Sequence, residues 1–201
     1  MVRRGAKRDS GAWEQRRYEI VDSAAHLFAT NGYHATGVAE LGEAVKLGRG
    51  ALYYYITSKE NLLLLIHDRV IVDVLAAGEK AVALEGTASE RLRFLGGQLL
   101  HIIVSFPDHV WVFLHEFRSL QGEAGDEFRK SRRVFERAIE QILQDGVDSG
   151  EFIIDSPRLA ALGWLGLHNY TYIWFNDKGP FSSDEIAEHF SDIFLSGVLV
   201  R

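Results

Sequence analysis

The run Thr36–Leu62, TGVAELGEAVKLGRGALYYYITSKENL, decides the fold. A short apolar-periodic segment (Val38, Leu41, Ala44, Val45) gives way at Lys46-Leu47-Gly48 to a second short segment carrying Leu52, Tyr53, Tyr54 and Tyr55. Two short helices with a tight break between them make a helix-turn-helix. The second helix is then the candidate reader of a DNA groove, with Leu47 as the plug of the turn and Gly48 as the helix start. Gly50 and Ala51 are small enough to let that helix come close to base edges.

Upstream, Ile20, Val21, Ala24, Ala25, Leu27 and Phe28 follow the spacing of one helix face, from about Trp13 to a stop at Asn31-Gly32. Trp13 reads as a packing anchor. Residues 1 to about 12 are basic and poor in apolar side chains, the composition of a disordered arm. Thr36 stands where a helix cap is expected, although the strict capping-box spacing is missed. It is read either as a cap alone or as a cap that also offers its hydroxyl to a phosphate at the positive helix end.

The chain has 201 residues, 47% of them hydrophobic and no cysteine, and carries a net charge of -6. That excludes general disorder and a disulfide framework, and favours a small domain joined to a larger one. No apolar run is long enough to span a membrane, and Met1-Val2-Arg3-Arg4-Gly5 does not begin a secretory signal, so a soluble cytoplasmic protein is expected. The charge is unevenly placed. Ten basic residues face eight acidic ones up to Arg69, against twelve and twenty beyond it. A mildly positive head on an acidic body is the asymmetry expected if only the head meets phosphates.

The stretch from Tyr18 to Leu65 resembles the DNA-binding domain of the TetR family of bacterial transcriptional regulators. Its typical run, roughly A-G-V-S-K-G-T-L-Y-H-Y-F-x-S-K-E-x-L, is matched by Val45 through Leu62. An upstream A-x-x-L-F-x-x-x-G-Y-x-x-T pattern is met by Ala24 or Ala25, Leu27, Phe28, Gly32, Tyr33 and Thr36. The resemblance implies that Thr36, Tyr53, Tyr54 and Lys59 hold the DNA backbone while Arg49, Gly50 and Ala51 lie against base edges; Gly48, at the helix start, and Lys46, through its own charge, are added as candidate DNA contacts. Side-chain chemistry agrees: arginine bonds guanine O6 and N7 bidentately, tyrosine hydroxyls and lysine suit phosphates, and the Ala51 methyl suits a thymine methyl. Tyr53 and Tyr55 have an alternative place in the core of the small domain. Lys46 replaces the family's turn glycine, so either it is not left-handed here or it tolerates strain of about 1 kcal/mol. Ala51 stands for a commoner threonine and Ile56 for phenylalanine.

From a cap at Ser58, a long connecting helix runs toward Leu84, and Ser89 is the expected cap of the next. Pro107 opens another helix, Gly122–Gly125 reads as a loop, and Phe128–Val147 as an amphipathic helix. The segment from Pro157 to about Trp174 is apolar nearly all round, which requires burial on both sides. Ser182 or Ser183 caps a final helix. In the TetR family the last two helices of each subunit form the dimer interface, and the doubly apolar pattern calls for a partner of that kind.

The expectation is therefore an all-α chain with an arm over 1–12, a three-helix DNA-binding head over 13–58 and a helical ligand-binding and dimerisation body over 59–201. Aromatic density in the body, with polar groups set among it, suits an enclosed site for a small hydrophobic ligand. The candidates are Phe94, His101, Phe106, Phe113, His115, Phe117, Arg118, Phe135, His168 and Tyr172, each with ordinary core packing as its alternative. The turn from Trp174-Phe175 to Gly179-Pro180 resembles that of acyl-CoA-responsive members of the family. His101, His109, His115 and Glu116 lack the spacing of a metal site, and neither a phosphate loop nor a nucleophile elbow is present. No metal, cofactor or catalytic residue is expected. The partners are double-stranded operator DNA, a hydrophobic ligand and a second copy of the chain. The expected function is a ligand-responsive regulator, most simply a repressor, on a pseudo-palindromic operator. The alternatives are a helical ligand-binding or enzymatic protein with a vestigial head, or an activator answering to a protein partner.

Overall fold

The computed structural model describes residues 10–200. Most of the arm expected over 1–12 lies outside them, and its last three residues are already helical. Helix α1 (Ser10–Asn31) buries Ile20, Val21, Ala24, Ala25 and Phe28, the stripe expected from their spacing. Helices α2 (Val38–Ala44) and α3 (Arg49–Tyr55) cross it as the helix-turn-helix. At their turn the Leu47 amide donates to the Gly42 carbonyl at 2.8 Å. A Cβ on Gly42 would sit 2.7 Å from the Leu47 carbonyl oxygen, so the tight return depends on glycine there. Lys46 has φ of 55° and is left-handed, so the strained alternative for this residue is the one realised.

Helix α4 (Lys59–Ala83) starts at Ser58, whose hydroxyl accepts from the Asn61 amide. Its first turns complete the head: Leu62, Leu63 and Ile66 join Leu41, Leu52 and Ile56 in one core, sealed by Val112, Leu120 and Phe128 of the body. The rest of α4 packs with α5 (Ala88–Ser105), α6 (Pro107–His115), α7 (Gly122–Asp148), α8 (Pro157–Asn169) and α10 (Ser183–Val198) around a second core centred on Leu95, Leu100, Ile139, Leu143 and Trp164. No β-strand occurs among the described residues; a single antiparallel bridge pairs Phe152 with Leu199.

Four local expectations are corrected. Gly37, not Thr36, is the N-cap of α2, because the Thr36 hydroxyl donates to the Gly32 carbonyl at 2.9 Å and is buried. Thr87 rather than Ser89 caps α5, in a reciprocal capping box with Glu90. The Gly122–Gly125 segment is the first turn of α7, not a loop; Gly125 has no side chain to collide with the Leu120 carbonyl passing beside it. The apolar segment after Pro157 is interrupted at Tyr170, where the Ile173 amide bonds three residues back to Tyr170, and a one-turn helix α9 (Thr171–Trp174) follows.

Candidate functional site

The head presents one open face, and α3 makes most of it. Of the seven residues of α3 only Leu52 is fully buried; the half-buried Tyr55 packs beside it against the core, and the other five face outward. Lys46, Gly48, Arg49, Gly50, Ala51, Tyr53 and Tyr54 are all exposed there. Gly48 is the N-cap of α3 and supplies no side-chain acceptor. The Arg49 guanidinium lies 5.8 Å from the centre of the Tyr53 ring, within cation–π range. Tyr54 packs edge-on against Tyr55, and Tyr55 stacks at 5.9 Å on Trp13, which is the packing anchor its position suggested.

Two residues expected at the DNA backbone face elsewhere. Thr36 is 1% exposed with its hydroxyl turned inward, as described above. Lys59 is half-buried, its ammonium 4.3 Å from the centre of the Tyr33 ring. Burial lowers its pKa, and the nearby Glu116 carboxylate opposes that shift. Glu116 closes α6 and also accepts the Tyr33 amide at 3.0 Å. The same helix meets α1 through Asp108, 2.9 Å from His26 Nδ1, and through His109, 3.1 Å from Asp22. The His109–Asp22 pair is close but lacks hydrogen-bond alignment, and burial outweighs the aspartate in setting the histidine's lowered pKa. Helix α6 is therefore fastened to the head along most of its length.

The other face of α6 looks into the body. Val110, Phe113 and Leu114 line a cavity of about 50 Å³, with Val70, Ile71 and Val74 from α4, Leu99, Ile102 and Ile103 from α5, Phe135 from α7 and Leu165 from α8. Its polar groups are Arg132, Glu136 and Asn169. Arg132 and Glu136 approach to 4.0 Å across one turn of α7. The volume holds one or two waters, so the cavity is closed to anything larger as it stands. The Phe135 ring also lines a surface groove of about 560 Å³ between α4 and α7, and so separates the interior from that groove.

Phe113 and Phe135 are the expected ligand residues that line the cavity. Phe117 stacks on Phe128, with Arg118 exposed beside it. Phe94 lies under Lys80, and Phe106 under Arg69. His101 is exposed. His115 Nε2 meets the Tyr172 hydroxyl at 3.1 Å on the outside of α6. His168 is wholly buried against Trp164, and burial pulls its pKa down to about 4. No group of three or more histidine, aspartate or glutamate side chains fit to hold a metal occurs among the described residues.

Comparison with known proteins places this architecture. Residues 20–66 match the model described as "Bacterial regulatory proteins, tetR family", and residues 85–198 match "Tetracyclin repressor-like, C-terminal domain". The chain belongs to the TetR family of bacterial transcriptional regulators. Among its TetR-family relatives is the HTH-type transcriptional repressor KstR2 of Mycobacterium tuberculosis, 25% identical over 199 residues that cover 95% of this chain and 96% of KstR2. The regulator PfmR from Thermus thermophilus superposes with a TM-score of 0.81 at 30% identity, over 88% of this chain and 97% of PfmR. AibR, solved in complex with isovaleryl coenzyme A and operator DNA, has the same fold, with a TM-score of 0.79 at 23% identity over 89% and 97% of the two chains. The named TetR-family relatives are transcriptional regulators. Among the described residues, no helix is long and apolar enough to cross a membrane.

Three groups of this TetR-family body escaped the sequence reading. Arg132 and Glu136 look like an ordinary solvated i,i+4 pair on an amphipathic helix, and only the arrival of α4 and α6 turns them toward a cavity. Glu116 looks like one more charged residue near the end of α6. Its role depends on Tyr33 and Lys59, which are remote in sequence and had no signal to connect them.

Proposed function

We propose that this protein is a ligand-responsive repressor that binds a pseudo-palindromic operator as a homodimer in the cytoplasm, and that a small hydrophobic ligand, an acyl-CoA-type molecule, releases it. The observation that carries the reading is the outward cluster of Lys46, Gly48, Arg49, Gly50, Ala51, Tyr53 and Tyr54 on a head joined through α6 to an apolar cavity. In this reading Arg49 reads a guanine and the tyrosines hold phosphates. Thr36 and Lys59 support the head from inside instead. The functional units are the arm over 1–12, the head over 13–58 and the body over 59–201, with α4 shared by the last two.

Dimerisation through α8 and α10 is supported by what those helices leave uncovered. Leu159 of α8 and Ile193 of α10 are exposed, as are Tyr170, Ile173 and Phe181 in the connection between the two helices, and a Cβ on Gly163, Gly166 or Gly197 would meet open space. An apolar face of this extent marks an association surface. A ligand that enlarges the cavity on its α6 side displaces Val110, Phe113 and Leu114. It thereby moves α6, whose Asp108, His109 and Glu116 hold α1 and the Tyr33 turn. Such a ligand binds more tightly to the state with displaced heads, and that difference is what weakens operator affinity. AibR, a neighbour in fold, carries isovaleryl coenzyme A in a complex that also holds its operator, which supports the choice of ligand class.

The test is selection of random duplex DNA on the purified protein at defined salt, then titration of the selected site with wild type and Arg49→Ala. A palindrome is expected, with the variant losing discrimination at one fixed position per half-site by about 1–3 kcal/mol. Binding that is sequence-blind and erased by salt would remove the repressor reading.

A further inference from the structure

Next to the apolar cavity, on the same seam between α7 and α8, lies an open groove of about 330 Å³ lined by Arg133, Arg137 and Arg158, with Glu136, Glu140, Ala161 and Leu162. Glu136 lines both spaces, so a single turn of α7 separates an apolar interior from a basic exterior. The three arginines are exposed, and among the described residues none of them makes an ion pair or a hydrogen bond. Elsewhere in the body the pattern differs: Arg91 pairs with Asp145, Arg93 with Asp192 and Arg129 with Asp126. Two glutamates share the groove, yet Glu136 turns to Arg132. Three uncommitted guanidiniums therefore converge on one concave surface in a domain whose charge is otherwise acidic.

We infer that this groove is an anion subsite that holds the phosphate groups of a coenzyme A thioester whose acyl chain occupies the apolar cavity. The inference rests on the reading of that cavity as the effector site. Guanidinium forks match phosphate oxygens in geometry as well as charge, and a phosphate here replaces the missing carboxylate partners. Register along α8 supports one molecule spanning both spaces. Arg158, Ala161, Leu162, Leu165 and Asn169 share the face toward α7, the first three at the groove and the last two at the cavity. From Arg158 to Leu165 the helix rises about 10 Å, within the span of a pantetheine arm. Leu159, Gly163 and Gly166 fall on a different face of α8, which leaves the groove open when that face meets a second copy.

The subsite divides the ligand's recognition in two. The cavity selects the acyl group by shape, while the arginines distinguish an activated thioester from the free acid of the same chain. The regulator then answers to metabolic activation of the acid and ignores the acid itself.

The experiment is calorimetric titration of the full-length protein with hexanoyl-, dodecanoyl- and palmitoyl-CoA and with the corresponding free acids, at low and moderate salt. It is repeated on the triple variant Arg133→Gln, Arg137→Gln, Arg158→Gln. Wild type is expected to bind at least one thioester at least tenfold more tightly than its free acid, with an affinity that falls as salt rises. The triple variant is expected to lose at least tenfold in thioester affinity and most of the salt dependence, with unchanged helical circular dichroism and melting temperature. A second variant with lysine at all three positions keeps the charge and is expected to recover part of the loss. Equal thioester affinity in wild type and the glutamine variant overturns the subsite while leaving the effector reading intact. If no thioester binds wild type, the effector reading fails and the subsite fails with it.

Discussion

Head and body place their polar and apolar groups in opposite ways. In α3 the apolar Leu52 points in, and Arg49 together with the hydroxyl-bearing Tyr53 and Tyr54 points out, so inside and outside are assigned within one short helix. The body breaks that assignment in both directions. It buries His67 and His168, turns Arg132 and Glu136 toward a cavity, and leaves Leu159, Tyr170, Ile173 and Ile193 in the open. A buried polar group or an exposed apolar patch carries information because each is costly. The head acts through a surface pattern written locally, whereas the body acts through exceptions that exist only once distant helices meet.

The contrast is sharpest at a leucine. Leu52 is fully buried while Leu159 is 69% exposed. Leu52→Ala is expected to cost about 2–5 kcal/mol of stability and to abolish operator binding as the head loosens. Leu159→Ala is expected to shift the melting of the monomer by less than about 0.5 kcal/mol and to weaken self-association instead. Thermal melting and sedimentation of both variants read the two effects separately, and equal destabilisation by the two would break the comparison.

Acid provides the next largest test. His67 Nδ1 and Nε2 have no hydrogen-bond partner, and its ring lies between Phe113 and Phe128. Burial, aided by Arg132, lowers its pKa from 6.5 to about 3. Because the folded value is depressed, the unfolded chain takes up a proton that the native state refuses. Stability is therefore full above the ordinary histidine pKa and declines as pH falls from there toward 3. At pH 5 the loss is about 2 kcal/mol from His67, and His168, lowered to about 4, adds a similar amount. Denaturant melts at pH 7.5 and pH 5 measure it. His67→Met is expected to be more stable at both values and to lose about half of the acid sensitivity, since it also removes two unpaired buried nitrogens.

The smallest expected effect lies in the head's turn. Lys46 holds φ of 55°, so Lys46→Gly relieves left-handed strain and is expected to stabilise by up to about 1 kcal/mol, after the entropy of glycine in the unfolded chain is counted. If the exposed Lys46 ammonium meets phosphate, the same variant lowers operator affinity for all sequences alike and reduces the salt slope. A stabilised variant with unchanged salt dependence would assign Lys46 to the turn alone.

Much of this protein was legible before any coordinate. The helices, their order and the turn at Lys46–Gly48 follow from apolar spacing and punctuation, because a helix face and a tight turn are set by residues within a few positions of one another. Seven of the nine expected DNA-face residues are exposed around α3 for the same reason. The two that turn inward, Thr36 and Lys59, do so because Gly32, Tyr33 and Glu116 come to meet them. In the body, counting aromatics does not single out the cavity lining: Phe94, Phe106 and Phe117 resemble Phe113 in sequence, and of these four only Phe113 lines the cavity. The groove of Arg133, Arg137 and Arg158 has no local signature, since it forms only when α8 folds back along α7. Sequence by itself determined what each helix is and which way its faces lie, because those properties are short-ranged. Which faces meet, and which charges are left without partners when they do, is decided by packing between elements far apart in the chain.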